Sequence, residues 1–268
     1  FGKRLVFTGD LGRVPAILIP EREVPPNIDY LFMESVYGDR LHDATEKSIA
    51  VLQASVTKTL QKKGVLLIPA FSLERTQIIL SALAAMFSAP GAVPLPVFLD
   101  SPLASKVTGV YERFPEFLRE DVRTRLAAGD DPFSFPSLTV TADVEAARAI
   151  DHAPKPKIII AGAGMSHGGR IRGHEAHYLP DASTTLLISG YQVAGSLGRR
   201  LEDGAKEVNI NGEHIAVRAE VRAVDGFSAH SDRDDLLKYA EEAKPKQVYV
   251  ILGETKSSTF LAQRINGF

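Results

Sequence analysis

The 268-residue chain has no cysteine and no tryptophan. Without thiols it can form neither a disulfide nor a thiolate metal site, so a bound metal must be held by His and carboxylate groups. The missing Cys fits a reducing compartment, and a cytoplasmic location is the expectation. No run approaches ~18 apolar residues, so there is no candidate membrane span, and no signal-peptide pattern is visible. A basic excess is also lacking: 31 Lys and Arg face 33 Asp and Glu, a formal net charge of -2. A broad electrostatic grip on nucleic acid is thereby excluded, and binding to RNA or DNA requires a local basic lining. No initiator Met precedes Phe1, and the chain opens on an apparent strand, so an N-terminally incomplete chain is expected.

What remains is the composition of a globular protein, 44% hydrophobic and 24% charged. A chain of this length can bury a large core in one or two domains. Apolar strands alternate with helices along most of it. Arg4–Phe7 ends in Thr8-Gly9-Asp10, and Tyr30–Met33 ends in Glu34, so two successive strands each deliver an acid at the carboxyl end. Ala44–Lys63 has Ile49, Leu52, Val56 and Leu60 at helical spacing and predicts an amphipathic helix with that face buried. Four continuous apolar strands follow, each leading to a helix: after Gly64, around Val97, from Lys157 and from Thr184. Such strands predict an α/β fold with a mainly parallel, Rossmann-like sheet covered on both faces. Residues 116–149 read as a looser helical excursion. Residues 207–224 read as a hairpin around Asn211-Gly212, a strong two-residue turn.

The strand ends are rich in small and hydroxylated residues: Ser72, Ser101, Ser166, Ser189 and Ser196, with Gly168 and Gly169 beside Ser166. Small residues there let an anion reach the backbone N–H groups at the next helix start. Arg75, Arg170 and Arg199 follow three of these strands, and a guanidinium fork suits phosphate oxygens. A phosphate-lined crevice is the expectation, with Tyr191 beside it. A second focus is Asp225–Leu237, where His230 sits directly before a helix. Ser231 and Asp234 have capping-box spacing, so Ser231 is expected to start that helix.

The strings FTGDLGR, ESVYGDR, IPAFSLERTQ, FLDSPLASK, GMSHGGR, SGYQVAGSLGRRL and FSAHSD resemble, in order, those of the β-CASP nucleases of the metallo-β-lactamase superfamily. The resemblance runs from Phe7 to Glu254. It implies part of a metallo-β-lactamase αββα fold (1–38 and 228–268) carrying a β-CASP domain (39–227). It implies a metal-dependent hydrolase that cleaves RNA phosphodiester bonds, with RNA as partner and two zinc ions. Asp10 falls on the bridging zinc ligand, Glu34 on the acid that orients the next histidine, and His230 on that histidine, a general acid or leaving-group stabiliser. A carboxylate hydrogen-bonded to imidazole fixes its tautomer, as a proton donor needs. The resemblance also admits a homodimer, although no apolar stripe in the sequence demands one. Two departures stand out. The family's upstream His-x-His-x-Asp-His cluster is absent, and Leu252 occupies the place of its last zinc ligand. Leucine cannot ligate zinc, so the second metal site is in doubt. A catalytically impaired relative that binds RNA or scaffolds a processing complex is the alternative.

Overall fold

The structure is a computed structural model that describes residues 2–141 and 143–267. Its chain divides into two compact units, Phe1–His42 with Ser228–Phe268, and Asp43–Phe227.

The first unit is built on three parallel strands, β1 (Leu5–Phe7), β2 (Tyr30–Met33) and β11 (Gln247–Val250), in the order β1-β2-β11. One face of this sheet turns Leu31, Met33, Val248 and Val250 inward. They pack with Leu236, Tyr239 and Leu261 from α8 (Arg233–Ala243) and α9 (Thr255–Ile265). The period of two then places Phe7, Phe32 and Tyr249 on the other face. Their rings stack across the three strands at 4.4 and 4.7 Å, with Phe7 and Tyr249 exposed.

The second unit holds a six-stranded, all-parallel sheet. Its strands are β3 (Val65–Pro69), β4 (Val97–Asp100), β5 (Leu138–Val140), β6 (Lys157–Ala161), β7 (Thr185–Ile188) and β10 (Glu220–Ala223), in the order β10-β7-β3-β6-β4-β5. Helices α1 (Thr45–Lys62), α2 (Arg75–Phe87), α3 (Pro102–Arg113), α4 (Glu120–Ala127), α5 (Val144–His152), α6 (Ile171–Tyr178) and α7 (Leu197–Glu202) connect them. Every residue of β3, β6 and β7 is buried. That is why these strands are continuous apolar runs: both faces are covered. From β3 the chain moves to β4 on one side, and from β6 it crosses to β7 on the other. The strand order therefore reverses around β3 and β6, and the crevice at their carboxyl ends is where such sheets take ligands.

Four expectations are corrected. The buried face of α1 is Ser48, Leu52, Ser55, Val56 and Thr59, while Ile49 and Leu60 are exposed. Hydroxyls are tolerated inside because they are satisfied: Ser55 and Thr59 donate to the carbonyls of Val51 and Ser55, and Ser48 accepts from the Gly226 N–H. Residues 116–149 contain a strand, β5, at the sheet edge; with three residues it is too short to show a period. Only β8 (Glu207–Ile210) and β9 (Glu213–Ala216) form the antiparallel hairpin, with Asn211 and Gly212 both at positive φ. The last part of the expected hairpin, β10, pairs in parallel with β7 instead. Finally, α8 is capped by Asp232, whose carboxylate accepts from the N–H groups of Asp234 and Asp235; the Ser231 hydroxyl donates to the Gly12 carbonyl.

One buried acid makes the second unit sensitive to pH. Burial pushes Glu175 on α6 up from 4.5 to about 8, against the opposing pull of the Ser166 hydroxyl and the Arg172 charge. The folded state therefore holds a proton that the unfolded chain releases near pH 4.5. The stability from this group is complete below that pH and is lost as pH rises through about 8. Melting temperature is expected to fall between pH 5 and 8, and Glu175→Gln is expected to flatten that slope. Parallel slopes for the two proteins would show that Glu175 is not the group responsible.

Candidate active site and crevice

Asp10, Glu34 and His230 converge in the first unit. Their candidate ligand atoms all lie within 4.8 Å of one another. Each is delivered by a strand end or a helix start. Past β1, Gly9 adopts a φ of 55°, a left-handed conformation that turns the chain and presents Asp10 at the surface. Glu34 follows β2 directly and is fully buried. Its backbone N–H donates to the Thr8 hydroxyl at 3.2 Å. One carboxylate oxygen accepts from the Leu11 N–H, and the His230 Nδ1 stands 3.2 and 3.0 Å from the two oxygens. His230 is held by backbone on both sides: Ser231 N–H donates to the Leu11 carbonyl at 2.7 Å, and Arg13 N–H donates to the Ala229 carbonyl at 2.9 Å.

A carboxylate buried this completely requires hydrogen-bond partners, and Glu34 has them. The His230 Nδ1 is turned to Glu34, and 29% of the side chain is exposed. Asp10 is the exposed carboxylate of the three. Two neighbours were not singled out from the sequence. The His42 Nε2–H donates to the His230 carbonyl at 3.0 Å, and the Tyr37 ring packs edge-on against His42 at 4.3 Å. Nothing in the local sequence marks His42, because its partner lies 188 positions away.

Leu252 lies just past β11, beside the end of β2; its carbonyl accepts from the Ser35 N–H at 3.4 Å. Its side chain is 56% exposed and its φ is 52°, a left-handed conformation unusual for leucine. It offers no donor atom to a metal. The residues present thus fit one carboxylate corner of a zinc shell, Asp10, rather than a closed four-donor shell.

In the second unit the strand-end residues divide into distinct jobs. Ser72 and Ser101 approach each other at 3.5 Å at the ends of β3 and β4, and a Cβ on Gly162 would lie 3.5 Å from the Ser101 hydroxyl. Ser101 also caps α3 and Ser196 caps α7. Ser166 and Ser189 are buried; Ser189 donates to the Pro69 carbonyl at 2.8 Å. Gly168 is half-buried; Gly169 has a φ of 76° and passes so close to Gly162 that a Cβ would meet its carbonyl at 2.3 Å. Tyr191 is half-buried after β7.

The three arginines do not stand as equivalent open forks. Arg75 is buried and donates to the Ser189 carbonyl, tying the loops after β3 and β7 together. Arg199 pairs with Asp203 at 2.9 Å on the surface. Arg170 reaches Asp100 at 2.6 Å and keeps a quarter of its side chain exposed. Asp100 is itself buried. Burial works to raise its pKa, but hydrogen bonds from His174, Thr141 and Arg170 outweigh this and hold the carboxyl below its ordinary value. Asp100, His174 and Arg170 form a polar cluster that the sequence-based candidate sites include only through Arg170. The signal was available for Asp100: like Asp10 and Glu34, it is an acid at the carboxyl end of an apolar strand.

Among the described residues, no helix is long and apolar enough to cross a membrane. Residues 76–201 match the family model of the Beta-Casp domain, and residues 214–268 match that of the Zn-dependent metallo-hydrolase RNA specificity domain. A ribonuclease of Thermus thermophilus is 36% identical over 250 residues, which cover 93% of this chain and 57% of the relative. The transcription termination factor FttA of Methanosarcina mazei is 31% identical over 97% of this chain and 42% of its own length. The factor of the same name from Pyrococcus abyssi is 30% identical over 98% and 42%. The chain spans about half the length of the curated relatives it matches. The two domain matches, the relatives and the parallel sheet of the second unit agree: the chain carries a Beta-Casp domain in a metallo-β-lactamase fold.

Proposed function

We propose that the protein cleaves RNA phosphodiester bonds with zinc as cofactor, and that Asp10, Glu34 and His230 belong to the catalytic centre. The observation that carries this reading is the buried Glu34 carboxylate on the His230 Nδ1 at 3.0 Å. Such a contact fixes the tautomer and aims Nε2 outward, where it can give a proton to a leaving oxygen or hold one in place. Glu34 acts through His230 and is a positioning residue. Asp10 is the residue of this chain that would hold a zinc ion. A bound zinc would polarise the phosphate and activate water. The matched RNA specificity domain and the ribonuclease relative support RNA as the substrate. In the second unit, Ser72, Ser101, Gly168, Gly169 and Arg170 line the crevice for RNA phosphates, with Ser166, Tyr191, Arg75 and Arg199 shaping it.

A second reading is favoured by Leu252: a relative that keeps RNA binding but cleaves poorly for want of a metal ligand. The two readings separate by zinc content. Two tightly bound zinc ions per protein would show that Leu252 is compensated, whereas none would favour the impaired relative.

His230→Ala is expected to lower RNA cleavage by roughly 10²–10⁴-fold, the usual worth of a general acid, with the melting temperature nearly unchanged. Cleavage at the original rate would remove His230 from the mechanism. Glu34→Gln is expected to reduce kcat and to alter its pH profile while KM is retained; a pure loss of folded protein would reduce Glu34 to a structural role. Leu252→His is expected to raise zinc affinity in a zinc titration, and an unchanged affinity would sink the lost-ligand account.

A further inference from the structure

Which rotamers a side chain can take depends on the backbone φ and ψ beneath it. An imidazole is therefore aimed by its peptide planes as well as by its ring partners. Both planes at His230 are held. On the N-terminal side, the Ala229 carbonyl accepts from the Arg13 N–H at 2.9 Å, and the His230 N–H donates to the Ser228 hydroxyl at 3.3 Å. On the C-terminal side, the Ser231 N–H donates to the Leu11 carbonyl at 2.7 Å, and the His230 carbonyl stands 3.0 Å from the His42 Nε2. A carbonyl oxygen only accepts, so the His42 ring carries a proton on Nε2. This last bond is made by a side chain 188 positions away in the sequence.

His42 ends the stretch that Glu34 begins, and that stretch is a fixed arm. The Gly38 N–H donates to the Ser35 carbonyl and the Arg40 N–H to the Tyr37 carbonyl, both at 3.1 Å. Gly38 passes so close to α9 that a Cβ would meet the Leu261 Cβ at 2.9 Å. The Asp39 carboxylate pairs with Arg40 at 2.7 Å and with Lys256 of α9 at 3.2 Å. The far end of the arm runs beside the start of α8. There the Arg233 N–H donates to the Arg40 carbonyl at 3.0 Å, and the His42 N–H donates to the Asp232 carboxylate at 3.1 Å. Asp232 is the cap of α8, so His42 is tied to the helix start that follows His230.

Tyr37 stands between the two ends of the arm and is only 3% exposed. Its ring centroid lies 4.3 Å from that of His42 and 6.0 Å from that of His230. The arm thus meets His230 at its ring nitrogen through Glu34, beside its ring through Tyr37, and at its carbonyl through His42.

We propose that His42 is a positioning residue for the cleavage reaction. Glu34 sets the tautomer of His230, and His42, packed on Tyr37, sets the peptide plane from which the imidazole is aimed. It deepens the reading of His230 as the group that serves the leaving oxygen and rests on that reading. A small misplacement of a catalytic group lowers the rate steeply without weakening substrate binding.

The test is steady-state RNA cleavage by variants of the full protein. His42→Ala is expected to lower kcat by about tenfold to a hundredfold with KM kept. His42→Gln, whose side-chain amide retains an N–H donor, is expected to restore most of the loss. Added to His230→Ala, the His42→Ala change is expected to cost no further rate, since a residue that acts through another has nothing left to act on. Melting temperatures are expected to stay close to that of the unmodified protein. An unchanged kcat, a loss that glutamine does not restore, a further loss on top of His230→Ala, or a fall in melting temperature that accounts for the lost rate would each overturn the proposal. A readout that needs no cleavage is the nitrogen-15 spectrum of the histidine side chains, in which His42→Ala is expected to shift and broaden the His230 signals. Unchanged His230 signals overturn the proposal. Absence of cleavage in the unmodified protein overturns the enzymatic reading, and the spectrum then decides by itself whether His42 places His230.

Discussion

The first unit depends on one buried carboxyl group. Glu34 lies at the end of the central strand of a three-stranded sheet, where solvent cannot stabilise a carboxylate. Desolvation on this scale is tolerated only with close hydrogen-bond donors. The partners of its carboxyl group come from two separate stretches: the Leu11 N–H after β1 and the His230 imidazole before α8, while its own N–H donates to the Thr8 hydroxyl. Satisfying Glu34 therefore forces the chain to bring together segments almost two hundred positions apart. The same contacts that satisfy the buried carboxyl group hold the His230 imidazole in place with 29% of its side chain exposed. Folding and chemistry are coupled there through a single side chain.

The second unit solves a different problem. The central strands of its parallel sheet are largely apolar, and its buried polar groups sit mostly at strand ends and on the covering helices, Ser48, Ser55 and Thr59 of α1 among them. Arg75 illustrates how a charged residue enters such an interior: it is accepted because it joins two loops through a carbonyl, and Gly190 has no Cβ to obstruct it. The serines at the strand ends likewise serve first as caps and loop ties. Ser72 and Ser101 stand 3.5 Å apart at the ends of β3 and β4.

What could be read from the sequence follows from how far each feature depends on distant residues. The strands β3, β6 and β7 were legible because burial on both faces writes a continuous apolar run into the chain. The pairing of Glu34 with His230 was legible only through ordered family strings, since spacing alone cannot join them. The buried face of α1 was misjudged because Ser48, Ser55 and Thr59 are hydrophilic by composition and become acceptable inside only through local hydrogen bonds. The cap of α8 was displaced by one residue because Ser231 and Asp232 both cap well, and the Gly12 carbonyl, remote in sequence, claims Ser231. Strand β5 is held by its neighbour β4 rather than by any pattern of its own. The pairing of His174 with Asp100 was not legible for the same kind of reason: the two lie 74 positions apart.

Leu252 carries a consequence for the history of the site. Its left-handed backbone is imposed by the turn after β11 and is uncomfortable for a leucine; histidine is among the residues that accept this conformation more readily. Exposed to solvent, the position can change its side chain without repacking a core. Leucine and histidine are also separated by a single base change in some of their codons. The position is therefore a permissive one: its side chain can change in a single step while the backbone stays in place.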